Sequence, residues 1–171
     1  VNIDCDGDGV PYDKEISDNT DPNDPCSYVA LSQVYANTTA AFKAGDCDGD
    51  GVPNSKEIDP DGNGTPGPNA TDPKNPCSFV VTNISLTPST AWQIADCDGD
   101  GVNNNKEVFI DGTNPFDTCD YTAASQNYAA TSAGLKAGDC DKDGVTNGKE
   151  IDPDGNGTPG PNGTNPKDPC S

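Results

Sequence analysis

The peptide Asp-Cys-Asp-x-Asp-Gly-Val occurs four times in the 171-residue chain, beginning at Asp4, Asp46, Asp96 and Asp139. A glutamate stands at the twelfth place of every copy: Glu15, Glu57, Glu107 and Glu150. Three carboxylates on alternate residues, a glycine turn and a closing glutamate are the ligand order of a twelve-residue calcium loop. Without a cation the clustered carboxylates repel one another, and the repulsion grows as they leave water. A chain that carries this peptide four times is built around ions before it is built around a core.

The candidate ligands follow place by place. Places one, three and five are Asp4, Asp6 and Asp8 in the first loop and Asp46, Asp48 and Asp50 in the second. They are Asp96, Asp98 and Asp100 in the third loop and Asp139, Asp141 and Asp143 in the fourth. The main-chain carbonyl at place seven belongs to Val10, Val52, Val102 and Val145. Place nine is Asn54, Asn104 and Asn147 in the last three loops, whereas the first loop has Tyr12 there and leaves the role to Asp13 or water. Magnesium, with its tighter octahedral shell and retained waters, suits such a site less well than calcium.

Composition points the same way. The chain has 29 acidic and 9 basic side chains, a formal charge of -20, and only 30% hydrophobic residues. A metal-free chain of this kind lies near the disordered class, because it buries too little apolar surface to offset its ordering entropy. One divalent ion per copy brings the charge to about -12, and two per copy to about -4. Nucleic acid is excluded as a partner, since phosphate binding needs clustered Lys and Arg, and anionic membranes are disfavoured for the same reason. No apolar run is long enough to insert into a membrane.

Eight cysteines fall two per copy: Cys5 and Cys26, Cys47 and Cys77, Cys97 and Cys119, Cys140 and Cys170. Regular pairs in an acidic chain with little core predict disulfides and an oxidising, extracellular setting, secreted or at a cell surface. With no histidine and no Cys-x-x-Cys, the spacing argues against zinc.

The copies are 42, 50 and 43 residues apart, so short and long units alternate. Residues 46–78 and 139–171 differ at only 6 of 33 positions, which makes the short-plus-long doublet the true period. The units are 1–45, 46–95, 96–138 and 139–171, each with a bridge after its acidic segment except the last. The three bridges carry apolar residues in a fixed order: Tyr28, Tyr35 and Phe42; Phe79, Leu86 and Trp92; Tyr121, Tyr128 and Leu135. These predict a satellite core for each unit. The β-branched run Phe79–Leu86 predicts a short strand, and Thr38–Phe42 and Thr87–Trp92 predict capped helical turns. Pro and Gly after each glutamate stop any helix there within about one turn. The expected fold is a mostly irregular, calcium- and disulfide-stabilised tandem repeat array, elongated, with short strands and single helical turns in the bridges.

A second column of oxygen ligands follows each glutamate. It comprises Asp18, Asp21 and Asp24 in unit one, Asp72 in unit two, Asp111, Asn114 and Asp117 in unit three, and Asp168 in unit four. The long units add Asp59, Asp61 and Asn63, and Asp152, Asp154 and Asn156, which repeat the loop's opening. Either a second ion site or a set of Asx turns accounts for this column. The expected load is therefore one to two Ca2+ per unit.

The repeated Asp-Cys-Asp-Gly-Asp-Gly-Val with its downstream Glu, and the Asn/Asp-x-Thr-Asp/Asn-Pro-x-x-x-Cys ending, resemble thrombospondin type 3 repeats in their bacterial form. The resemblance covers the four acidic segments, more than half the chain. It implies many bound calcium ions, disulfide staples and calcium-dependent stalk-like or wrapped structure. Cysteine at loop place two departs from the animal pattern, so the resemblance carries no connectivity. Two schemes stay open. One pairs cysteines within acidic segments (Cys5–Cys26, Cys47–Cys77, Cys97–Cys119, Cys140–Cys170); the other pairs across bridges (Cys26–Cys47, Cys77–Cys97, Cys119–Cys140). The within-segment scheme is the expectation, because a staple tolerates looped-out insertions.

Of six Asn-x-Ser/Thr sequons, Asn37 and Asn83 lie in bridges and are the glycosylation candidates. The function expected is an extracellular calcium-binding structural module acting as stalk, spacer or fibre segment, with copies of the chain as candidate partners in a filament. The alternative is a calcium-dependent adhesin that offers bridge aromatics to a glycan or protein. No nucleophile paired with a base is present, and no carboxylate stands outside the calcium pattern, so an enzyme is not expected.

Overall fold

A computed structural model describes residues 3–171. Regular structure is sparse. Seven helical pieces occur among the described residues: α1 (Tyr12–Asp18), α2 (Ala40–Ala44), α3 (Asn54–Ile58), α4 (Thr90–Ile94), α5 (Asn104–Lys106), α6 (Ala133–Ala137) and α7 (Asn147–Ile151). After α5 the chain widens into a π-turn over Glu107–Asp111. Short 3-10 turns at Ala30–Ser32, Tyr35–Asn37, Val81–Asn83 and Tyr128–Ala130 fill out the bridges. No helix among the described residues is long and apolar enough to cross a membrane.

The strand expected over Phe79–Leu86 does not form, and there is no strand among the described residues; Val81–Asn83 is a 3-10 turn instead. The reason lies in where the bridge's N–H groups go. Ser85 N and Leu86 N both donate to Gly51 O, at 2.9 Å each, and Ser89 N donates to Gly49 O at 2.8 Å. The bridge binds two carbonyls of the acidic loop before it, which offers no continuous ladder for β pairing. The expected helical turns do form. They are α2 and α4; Thr39 caps α2 by accepting from Phe42 N at 3.2 Å, and α6, which was not among the expected turns, is capped by Ser132 accepting from Leu135 N at 3.0 Å.

The chain divides into two compact units, Val1–Ser89 and Thr90–Ser171, with the division inside the second bridge. In the first unit Val10, Tyr28, Tyr35, Phe42 and Ile58 form one buried cluster, with Cys47 against it. In the second, Val102, Tyr121 and Leu135 cluster with Cys140. Val10 and Val102, at loop place seven, therefore join loop to core, at about 1.5–3 kcal/mol for a fully buried side chain. Trp92 is buried as well, whereas Leu86 is exposed, the exception among the ordered bridge residues. That exception has a partner. Lys43 and Lys136 lie over the rings of Tyr35 and Tyr128, but the second bridge has Leu86 and Gln93 at those places.

Cysteine pairing runs across the bridges, contrary to the within-segment expectation. Cys26 is bonded to Cys47 and Cys119 to Cys140, each over 21 residues; Cys77 and Cys97 are disulfide-bonded too, and Cys5 and Cys170 are free and exposed. The first and third bridges each double back on the loop before them, which brings the two ends of each together. Tyr28 and Phe42, two residues after Cys26 and five before Cys47, meet edge-to-face at 5.7 Å between ring centroids. The near-constant bridge length is the circumference of a closed ring, whereas the acidic segments vary because nothing closes them.

Candidate metal centres

Each loop is shaped by its own carboxylates. In the second loop, Asp46 accepts from Gly49 N at 2.8 Å and from Gly51 N at 2.9 Å through its two oxygens. Asp48 Oδ1 accepts from Asp50 N at 3.2 Å, and Asp50 Oδ1 from Val52 N at 2.7 Å. The same bonds recur from Asp4, Asp6 and Asp8, from Asp96, Asp98 and Asp100, and from Asp139, Asp141 and Asp143. In each loop the three aspartates bring ligand oxygens within 4.8 Å of one another. These triplets could hold a metal ion.

What the hydrogen bonds leave over is a set of buried oxygens without partners. Oδ2 of Asp6, Asp8, Asp48, Asp50, Asp98, Asp100 and Asp141 has no hydrogen bond, nor does Oε2 of Glu15, Glu57, Glu107 and Glu150. A buried, unsatisfied carboxylate oxygen is costly, and a hard cation is the partner that such a set fits. Titration tells the same story. Burial pushes Glu57 up to about 9, with the charges of Asp48 and Asp50 adding to it, and pushes Glu107 to about 8 and Glu15 to about 7. Asp50 and Asp100 rise to about 7, and Asp8, Asp48 and Asp98 to about 6, again chiefly through burial. Glu150 is raised by the same cause. Protons stand in for missing positive charge.

Place nine also has a structural job. Asn54 Oδ1 accepts from Cys47 N at 3.1 Å, and its Nδ2 donates to Phe42 O at 2.9 Å. Asn104 bonds Cys97 N and Trp92 O in the same way, and Asn147 bonds Cys140 N and Leu135 O. Both ends of each buried amide are thus engaged in clipping the preceding bridge to the loop. In the first loop this place is Tyr12, which opens α1.

The glutamate at place twelve is set by the threonine of the Asn/Asp-x-Thr segment ending. Thr71 N donates to Glu57 O at 2.9 Å, and Thr71 Oγ1 donates to Glu57 Oε1 at 3.2 Å. Thr113 serves Glu107 and Thr164 serves Glu150 through the same pair of bonds. Thr20 reaches only the main chain of Glu15, which leaves both Glu15 oxygens without partners. An invariant Thr five to fourteen residues beyond each glutamate was the available signal.

The second column takes turn roles. Asp21, Asp72 and Asn114 accept from the N–H two residues on, and Asp24, Asp117 and Asp168 accept from the N–H of Cys26, Cys119 and Cys170. Asp18 pairs with Lys14 and Ser32, which hold its carboxyl below the usual range, whereas Asp111 keeps one buried oxygen without a partner. The insertions fold as half-loops: Asp59 accepts from Asn63 N and Gly64 N, Asp61 from Asn63 N, and Asn63 from Thr65 N. Asp152, Asp154 and Asn156 repeat this. For Asp59 and Asp152 these main-chain donors outweigh burial and lower the pKa. Asn37 is exposed and Asn83 half-buried, each at the end of a 3-10 turn.

No protein-family model matches the chain, and neither a curated protein nor a solved structure matches it.

Proposed function

We propose that the protein is an extracellular calcium-binding structural module, a rigid stalk, spacer or fibre segment in which each loop is locked by Ca2+. The observation that carries this reading is the convergence of buried, unpartnered carboxylate oxygens on every loop. Asp46, Asp48, Asp50 and Glu57 would hold the ion in the second loop, with the Val52 carbonyl, and the matching residues would do so in the others. The module is secreted or displayed at a cell surface, a setting that six disulfide-bonded cysteines support. Its resemblance to thrombospondin type 3 repeats belongs to this proposal and rests on the motif alone.

Disulfides close the first and third bridges into rings beside the loops, and among the described residues no long helix pair stands ready to open on ion binding, so the reading is structural rather than sensory. Binding energy becomes folding energy in a chain with so small a core. Calorimetry with calcium and circular dichroism in chelator test it together. One or more ions per loop and loss of order in chelator are expected; an unchanged spectrum and unchanged heat resistance in chelator overturn the reading. The adhesin alternative is not favoured, because Tyr28, Phe42, Trp92 and Tyr121 are buried rather than offered to a ligand.

A further inference from the structure

Four Asn-Gly pairs occur in the chain: Asn63–Gly64, Asn147–Gly148, Asn156–Gly157 and Asn162–Gly163. In such a pair the glycine nitrogen can attack the side-chain carbonyl carbon of the asparagine, because glycine has no Cβ to crowd the ring that forms. In a folded chain the outcome depends on what holds the nitrogen, what holds the side-chain amide, and whether the ring has room. The four pairs differ on all three.

Asn63 and Asn156 stand at the same place in the two insertions. Gly64 N donates to Asp59 Oδ2 at 2.9 Å, and Gly157 N donates to Asp152 Oδ2 at 2.8 Å. Each carboxylate is in place to take the proton that an attacking nitrogen must lose. Asn63 Oδ1 accepts from Thr65 N at 2.9 Å and from Thr65 Oγ1, and Asn156 Oδ1 accepts from the same two groups of Thr158. Two donors on that oxygen stabilise the negative charge that develops there during attack. The side-chain nitrogens are held as well, Asn63 Nδ2 donating to Asp61 Oδ2 and Asn156 Nδ2 to Asp154 Oδ2, each at 2.9 Å. Both asparagines are exposed, and nothing lies within 4 Å of a Cβ built on Gly64 or Gly157.

The other two pairs lack these features. Asn147 is buried, with Oδ1 accepting from Cys140 N and Nδ2 donating to Leu135 O, and a Cβ on Gly148 would meet Lys136 O at 2.8 Å. Asn162 is exposed, but Gly163 N donates to a main-chain carbonyl, Gly160 O, at 3.0 Å. A Cβ on Gly163 would lie 2.8 Å from Glu150 O.

We infer that Asn63 and Asn156 are sites of self-catalysed deamidation. At the first site Gly64 N bonds to Asn63 Cγ while its proton passes to Asp59. The Cγ–Nδ2 bond breaks, and the nitrogen takes up one proton and leaves as ammonia. Water then opens the succinimide to aspartate or isoaspartate; no electrons change hands. Asp152, Thr158 and Gly157 serve Asn156 in the same way. Each event adds one negative charge to an insertion. Opening to aspartate gives that insertion the three alternate carboxylates of the four loops. The reaction does not depend on the proposed function.

The test incubates the full chain, disulfides intact, in calcium at neutral pH and follows each asparagine by peptide mass spectrometry after trypsin. Cleavage at lysine separates residues 57–74, 143–149 and 150–167, and fragmentation separates Asn156 from Asn162. Asn63 and Asn156 should react about tenfold faster than Asn162, and Asn147 should stay intact. Reduction and urea should erase this ranking. Asp59→Asn should slow Asn63 about tenfold and leave Asn156 of the same molecule unchanged. Thr65→Val, which keeps the carboxylate, should slow Asn63 less. Equal rates at the three exposed sites, or slower reaction at Asn63 and Asn156 than at Asn162, overturn the inference without any variant. So does an Asn63 rate that Asp59→Asn leaves unchanged.

Discussion

The second and fourth loops open two stretches of sequence that are nearly identical, yet they sit in different surroundings. Val52 is fully buried and Val145 is 42% exposed; Asp50 is buried and Asp143 exposed. Neither loop's own residues explain this. Residues 78–89 lie over the second loop, and among the described residues no segment lies over the fourth, so the second loop's burial comes from the segment that follows it. The carboxylate pattern encodes a shape and a set of ligands, and the bridge encodes how dry the ligands are.

The largest effect that would break this comparison comes from glycine. Gly51 and Gly144 have nearly the same backbone, at φ 89° and 97°. A Cβ on Gly51 would also sit 2.8 Å from Pro88 and 3.0 Å from Leu86 O. Gly51→Ala should cost about 3 kcal/mol in urea unfolding with calcium present, strain plus overpacking, and Gly144→Ala about 1 kcal/mol. Equal costs would mean that the bridge does not distinguish the loops.

Next in size is the pH dependence of ion binding. Asp50 and Glu57 have folded pKa values of about 7 and about 9, above their unfolded values. The metal-free fold therefore binds more protons than the unfolded chain, and this contribution to stability is full in acid and is lost as pH rises through about 7 and 9. Calcium reverses the slope, because it needs the same oxygens ionised. Affinity at the second loop should fall about 100-fold from pH 8 to pH 6, at roughly one displaced proton per unit of pH. The bare fourth loop should lose less. Calorimetry in buffers of different ionisation enthalpy, with Glu57→Gln or Glu150→Gln isolating each loop, counts the protons.

The comparison also predicts where the two loops agree. Asn54 and Asn147 clip their loops to the preceding bridge through the same bonds, so replacing either with Ala should cost about 2 kcal/mol from two lost buried hydrogen bonds. Calcium stoichiometry should stay the same; a lost ion would make the amide a ligand after all. Smallest is the lysine contact. Lys74 lies 4.4 Å from the Tyr28 ring centroid and donates to Tyr28 O, as Lys167 does at Tyr121. Lys74→Met should lower stability by about 0.5–1 kcal/mol, measured the same way.

Much of this was legible in the sequence. The loops, the helical turns α2 and α4 and the buried aromatics follow from local chemistry, which a string of residues displays directly. The misreadings came from partners distant in the chain. Phe79–Leu86 has strand composition, but a strand needs a neighbour, and its nearest backbone was an acidic loop. Asn54 stands where a ligand would stand, and its further bond to Phe42 O, twelve residues back, does not show in the loop motif. Cysteine spacing was constant across bridges for the reason that should have decided it: a closed ring has a fixed length.

That ring has a mechanical consequence. Tension along the chain reaches Cys26 and passes through the sulfur–sulfur bond to Cys47, 21 residues on, without entering the bridge. The bridge is slack under load, and so is the one between Cys119 and Cys140. About 70 Å of extended chain per ring is thereby withheld from stretching, and a protease cut at the fully exposed Leu31 opens a ring but severs nothing.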